Sequence, residues 1–163
     1  MALVPLFIAS LAVTMVAAWI LRVPIMTFSV GLGPPVWRTT IRGVALQFSL
    51  VPLGGYLQHP GEHGLWEVPP IRRAMLLLSG PVVLVLIGAA MHPIQFDLAV
   101  VTIVLGLINL MPVASLSGGQ SLLAMVEVFF GREIAEQIQI PFAILSLPIL
   151  YGVVIYVLVV LIF

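Results

Sequence analysis

Long runs of apolar residues dominate this chain and leave few charged positions to cover a water-facing surface. A spanning helix needs about 20 mostly apolar residues, because the bilayer core cannot satisfy exposed backbone groups. Of the 163 residues, 62% are hydrophobic and 7% are charged, which argues against a soluble globule. The sequence predicts one α-helical membrane domain over 1–163, with four transmembrane helices at about 1–21, 74–95, 98–112 and 138–163. Pro141 and Pro148 are expected to mark the first turn and a kink of the last helix.

The distribution of arginine predicts the orientation. Five of the six basic residues fall between the first and second spans, and Arg132 falls between the third and fourth. Positive charge is retained on the cytoplasmic side, so both termini are expected on the opposite side. The first run lacks a basic start and a clear cleavage site, and we interpret it as a retained helix. The net charge of zero leaves no basic field for nucleic acid.

The connection at 23–71, between the first two predicted spans, carries a β pattern. From Val44 to Leu50 the residues alternate, with Leu46, Phe48 and Leu50 on one face and Ala45, Gln47 and Ser49 on the other. This alternation is typical of a half-buried strand. Residues 27–32 are expected to supply a partner strand, and the segments 33–35 and 52–55 are expected to be turns. After these elements, a short apolar helix is predicted over 120–130.

Three segments together resemble the membrane core of the site-2 metalloprotease family, whose members cleave substrates within the bilayer. The segments are Phe28-Ser29-Val30-Gly31-Leu32-Gly33-Pro34 with Pro52-Leu53-Gly54-Gly55-Tyr56, Arg73-Ala74 through Ser79-Gly80-Pro81-Val82, and Asn109-Leu110-Met111-Pro112 with Leu116-Ser117-Gly118-Gly119-Gln120. The resemblance implies a minimal member in a bacterial inner membrane. It lacks the periplasmic insertion that many relatives carry, because the connection at 92–97 is short.

The family's zinc ligands and catalytic glutamate have no counterparts in this chain. The resemblance places the His-Glu-x-x-His positions on 10–14 and the aspartate ligand on Ser117, where this sequence has Ser10, Leu11, Thr14 and Ser117. Neutral hydroxyls are poor zinc ligands, and a leucine cannot take a proton. We therefore expect no catalytic residues, no metal and no other cofactor. Ser10, Thr14 and Ser117 could meet across the first and third spans, but packing or bonding to a backbone carbonyl is the more usual role.

One string in the connection imitates a zinc site. His59-Pro60-Gly61-Glu62-His63 spells the inverted zincin motif, which requires a helix to place both histidines on one face. Pro60-Gly61 is a turn signal, so a polar loop is the favoured interpretation. A metalloprotease with unconventional ligands from His59, His63 or another chain stays as the alternative.

The favoured function is a non-enzymatic binding or scaffold subunit of a membrane complex. Relatives are thought to hold an extended substrate against their β element, and an open strand edge can accept a partner strand without metal. The predicted partner is another membrane protein, contacted at Leu46, Phe48 and Leu50, with Asn109 as a further candidate. Asn109 has a simpler role in satisfying the helix break before Pro112. Glu127 is expected at the membrane surface with its carboxylate in water, or otherwise beside a partner cation.

Overall fold

The computed structural model describes residues 3–41, 43–60 and 64–162. Within these ranges the chain forms five helices, two long strands and one 3-10 turn. In chain order the elements are α1 (Leu3–Ile20), β1 (Thr27–Ile41), β2 (Val44–Gln58), the 3-10 turn (Gly64–Glu67), α2 (Pro70–Met91), α3 (Phe96–Leu110), α4 (Ser117–Phe130) and α5 (Arg132–Ile162).

Helix α2 is the central element, because α1, α3 and α4 all pack against it. Small residues make the contact with α3 close. A Cβ added to Gly88 would lie 2.9 Å from the Ala99 carbonyl oxygen, and one added to Gly106 would lie 2.9 Å from the Pro81 carbonyl oxygen. Close backbone approach at small residues is the usual way in which apolar helices associate in membranes.

Helix α1 ends in a turn that ties it to the base of α2. The Val23 amide donates to the Ala18 carbonyl at 2.8 Å, and the Arg22 amide donates to the Trp19 carbonyl at 3.2 Å. These two bonds form a Schellman motif, in which the residue after the helix takes a left-handed conformation. Here that residue is Arg22, with φ of 55°. Ala18 and Val23 then pack with Val68 and Leu76 in a small buried cluster.

Two helices in the described part of the chain are both long and apolar enough to cross a membrane. They are Pro70–Met91 and the segment Arg132–Gly152 of α5, whereas Ile8–Ile20 and Phe96–Leu110 are apolar but shorter. The expected helices therefore exist, with different bounds. Helix α2 begins at Pro70, four residues before the predicted start, because proline at the first helical position needs no hydrogen-bond acceptor.

Helix α5 also begins earlier than predicted. It starts at Arg132, directly after Gly131, whose φ of 88° ends α4. Pro141 therefore lies inside α5. The prediction that it marks the first turn of this helix is wrong. The helix tolerates the charged residues of its first turns because Arg132 and Glu136 pair at 2.7 Å on its exposed side.

The two strands form one antiparallel hairpin that also folds back on itself. Residues 37–41 of β1 pair with 44–48 of β2 next to the hairpin turn. Thr27 pairs with both Ala45 and Gln58, and Val30 pairs with both Phe48 and Gly55. The start of β1, residues 27–30, thus lies between residues 45–48 and residues 55–58 of β2. Along 27–30 and 45–48 the two segments run in the same direction, whereas the other paired stretches run in opposite directions. The segments 33–35 and 52–55, which the sequence predicts as turns, lie inside the two strands. The pairing of the strands shifts in register near these segments.

The hairpin buries its polar face. Ala45, Gln47 and Ser49 are buried, whereas Phe48 and Leu50 are exposed. Polar side chains can be buried here because they satisfy one another: Gln47 Nε2 donates to Ser29 Oγ at 3.1 Å, and the hydroxyls of Ser29 and Ser49 lie 3.3 Å apart. The predicted strand and its alternation are confirmed, and the apolar face points outward.

Candidate functional site

Ser10 and Thr14 correspond to the first two zinc ligands of the family. Both residues lie in the contact between α1 and α2. A Cβ added to Gly80 of α2 would lie 2.8 Å from Thr14 Oγ1 and 2.9 Å from Ser10 Oγ. The Thr14 hydroxyl donates to the Ser10 carbonyl oxygen at 2.9 Å, which is the common backbone bond of a threonine in a helix. Ser10 and Thr14 therefore serve as small packing residues against Gly80.

The third corresponding position is Ser117, the first residue of α4. The backbone at the start of α4 lies close to the backbone at the end of α3. Ser117 is half-buried, and its carbonyl accepts a hydrogen bond from the Ser121 hydroxyl at 2.7 Å. A Cβ on Gly118 would collide with the Leu110 carbonyl, and one on Gly119 with the Val113 carbonyl. The glycine pair thus allows two backbone segments to touch. No described hydrogen bond joins Ser117 to Ser10 or Thr14.

These positions do not fit a zinc ion. The donors on offer are neutral hydroxyls, one of which is engaged with a carbonyl of its own helix, and Leu11 has no group that could activate water. Zinc in proteins is bound by imidazole, thiolate or carboxylate. Among residues 3–41, 43–60 and 64–162, no three His, Asp or Glu side chains lie together as a metal site would require.

His59 is held as a lone histidine at the end of β2. Its Nδ1 lies 2.8 Å from the Pro24 carbonyl oxygen, which can only accept, so Nδ1 carries the proton. Burial lowers the pKa of His59, and the bond to Pro24 opposes that change in part. Glu62 and His63, the rest of the inverted zincin string, lie outside the described residues.

The candidate binding surface is the outward face of the hairpin. The rings of Trp37 and Phe48 pack at 5.5 Å between centroids, and both are about half exposed, while Leu50 is 65% exposed and Leu46 is half-buried. The β1 segment 37–41 pairs with β2 on one side, and its other side has no registered partner in the described sheet. The hairpin therefore combines an aromatic face with an open strand edge.

Asn109 lies away from this surface, near the end of α3. Its Nδ2 donates to the Leu105 carbonyl one turn earlier, at 3.0 Å. This bond satisfies the last turn of a helix that ends before Pro112, which is the simpler of the two roles the sequence offered. A contact between Asn109 and a partner remains a prediction.

A buried ion pair joins α2 to α4. Arg73 Nη2 contacts Glu127 Oε2, with the side chains 3% and 11% exposed, and the guanidinium lies 4.3 Å from the centre of the Trp66 ring. Glu127 is therefore beside a partner cation, and its expected place in water is wrong. A lone acid in an apolar helix was the signal for this pair, but the sequence had no means of choosing its arginine.

The sequence of this chain is similar to known peptidases. The model described as "Peptidase family M50" matches residues 15–97, which cover the hairpin and α2. A protein of Treponema pallidum (strain Nichols) named "Putative zinc metalloprotease" is 31% identical over 91 residues, covering 45% of this chain and 20% of that protein. This chain therefore spans about a fifth of that relative's length. The family match begins directly after Thr14. By the extent of this match, over half of its length, the chain belongs to peptidase family M50.

Proposed function

We propose that this protein is a catalytically inactive member of peptidase family M50 that binds an extended segment of another membrane protein. The observation that carries the proposal is the contrast between two sites. Ser10 and Thr14, two of the positions that correspond to the family's zinc ligands, pack against Gly80, whereas the hairpin retains an open edge and an exposed aromatic pair. The match covers a fifth of the longer relative, so that protein's activity is not assigned to this chain. The proposed binding rests on the hairpin alone.

The hairpin has the properties that β-strand addition requires. Main-chain hydrogen bonds along an open edge supply affinity, and alternate side chains supply selectivity. The segment at 37–41 offers the edge, and Trp37, Phe48 and Leu50 offer apolar contacts. Natural proteins usually protect such an edge with charges or proline; here Arg38 is the one charged residue that the structure describes in the segment.

The proposal includes a membrane arrangement. The helices α1, α2, α3 and α5 would cross a bacterial inner membrane, with both termini on the non-cytoplasmic side. The shorter α1 and α3 would do so because they pack on α2, and the short loop between α2 and α3 contains no arginine. The hairpin would then lie on the cytoplasmic side, within reach of a partner's juxtamembrane segment.

A charge placed on the aromatic face tests this function. We expect Phe48→Asp to reduce the amount of the native membrane complex at least tenfold, because a carboxylate cannot be buried against an apolar partner without a large desolvation cost. The complex is extracted in mild detergent and quantified by native electrophoresis. Phe96→Asp is the matched control, since Phe96 is also exposed but lies at the start of α3. Unchanged assembly of the Phe48 variant would contradict the proposal.

A further inference from the structure

A cavity of about 180 Å³ lies between the end of α1, the end of β2 and the start of α2. It is separate from the hairpin face and from the positions that resemble zinc ligands. Its described walls come from three stretches of the chain, 22–24, 59–60 and 64–72. The lining residues that matter here are Arg22, His59, Glu67, Pro69 and Arg72.

Two arginine side chains line the cavity. Arg22 follows the end of α1, and Arg72 lies in the first turn of α2. The cavity also lies at the start of α2, where Pro69 precedes the helix and no side chain caps it. Pro69 and Pro70 have no N–H, so only the amides of Ile71 and Arg72 are left without an acceptor at this helix start. Among the described lining residues, Glu67 is the one acid beside the two arginines.

The backbone at Arg22 points to a role for its side chain. Arg22 takes the left-handed conformation with φ of 55°, at a position where glycine is the usual residue. A residue with a Cβ is strained there, and such strain tends to occur at functional sites. An arginine at this position places a guanidinium in the cavity wall, which glycine would not supply.

His59 adds a buried polar atom to the same wall. The side chain is 6% exposed, and Nδ1 is committed to the Pro24 carbonyl. Its Nε2 makes no hydrogen bond that the structure records, although the ring lines the cavity. A ring nitrogen that opens onto the cavity can form a hydrogen bond with a ligand there. A hydroxyl of a protonated phosphate could donate to Nε2, or an anion could favour protonation of the ring.

We propose that this cavity binds a phosphate group, supplied by a phospholipid headgroup or by a soluble phosphomonoester. Guanidinium groups bind phosphate oxygens through charge-assisted hydrogen bonds, and Arg22 and Arg72 supply two of them. The cavity lies where α1 ends and α2 begins, which is the level of lipid headgroups if both helices cross the membrane.

The test measures binding to the full chain purified in a phosphate-free maltoside detergent. Calorimetric titrations use dihexanoyl phosphatidylglycerol below its micellar concentration in one arm and inorganic phosphate in the other. Saturable binding of the lipid alone assigns the site to a headgroup. Binding of inorganic phosphate, with or without the lipid, shows that the phosphate group suffices and favours a soluble source.

Paired variants separate a built site from general attraction to charge. We expect the double variant Arg22→Gln, Arg72→Gln to weaken binding at least tenfold. The matched double variant Arg38→Gln, Arg132→Gln removes the same charge from exposed positions elsewhere and should change binding less than twofold. Glu67→Gln should tighten binding. Absence of binding in both arms, or equal weakening by the two double variants, would overturn the proposal.

Discussion

Glu127→Gln is expected to lower the free energy of unfolding by about 3–5 kcal/mol, because it leaves the Arg73 charge buried without its counter-ion. Arg73 is 3% exposed, so water cannot replace the lost carboxylate. One guanidinium nitrogen, Nη1, already has no hydrogen-bond partner in the structure. The remaining support would come from Trp66, whose ring face stabilises a nearby cation by about 1–2 kcal/mol.

The measurement is a denaturant titration of the purified chain in mixed micelles. Glu136→Gln is the matched control, because it removes an acid from the exposed pair with Arg132 and should leave the unfolding midpoint unchanged. A double variant, Arg73→Met with Glu127→Leu, should recover most of the loss, since an apolar pair of similar size often replaces a buried ion pair at little cost. An equal effect of the two single variants would refute this account of the pair.

Gly119→Ala is expected to lower the free energy of unfolding by about 3 kcal/mol, at the upper end of the range for overpacking. The added methyl group would collide with the carbonyl of Val113. This obstacle is backbone, so a change of side-chain rotamer cannot relieve it, and α4 must move away from the end of α3. Gln120 would move with it, and its side chain now donates to the Ala114 carbonyl.

The control for this substitution is Gly152→Ala in α5. A Cβ at Gly152 would meet no other atom within 4 Å, and alanine is the better helix former. We expect its unfolding midpoint to stay the same or to rise slightly. If Gly119→Ala unfolds at the same denaturant concentration as the unchanged chain, the close approach of α4 to the Val113 carbonyl is not as described.

The local sequence patterns predicted which segments form helices and strands. They did not predict which residues those segments pack against. The alternation from Val44 to Leu50 identified a strand, because its period belongs to the backbone itself. The same alternation could not show which face would be buried. That choice depends on Ser29, 18 residues from Gln47 in sequence, which makes a buried polar face possible.

The turns and the charges show the same limit. The glycine and proline residues at 33–35 and 52–55 predicted turns, but the long hairpin absorbs them as shifts of register. Arg22 was used only as a marker of membrane orientation, whereas its backbone conformation and its place in a cavity wall required coordinates. The partnership of Arg73 and Glu127 spans 54 residues, and no local pattern specifies such a pair.

The most direct test of the central claim is the zinc content of the purified chain. The protein is prepared with zinc in excess, passed through a desalting column and analysed by plasma mass spectrometry together with protein concentration. We predict less than about 0.1 zinc per chain, because Ser10, Thr14 and Ser117 offer only neutral hydroxyls. One tightly held zinc per chain, retained after His59→Ala and lost after substitution of Ser10 or Thr14, would contradict the claim.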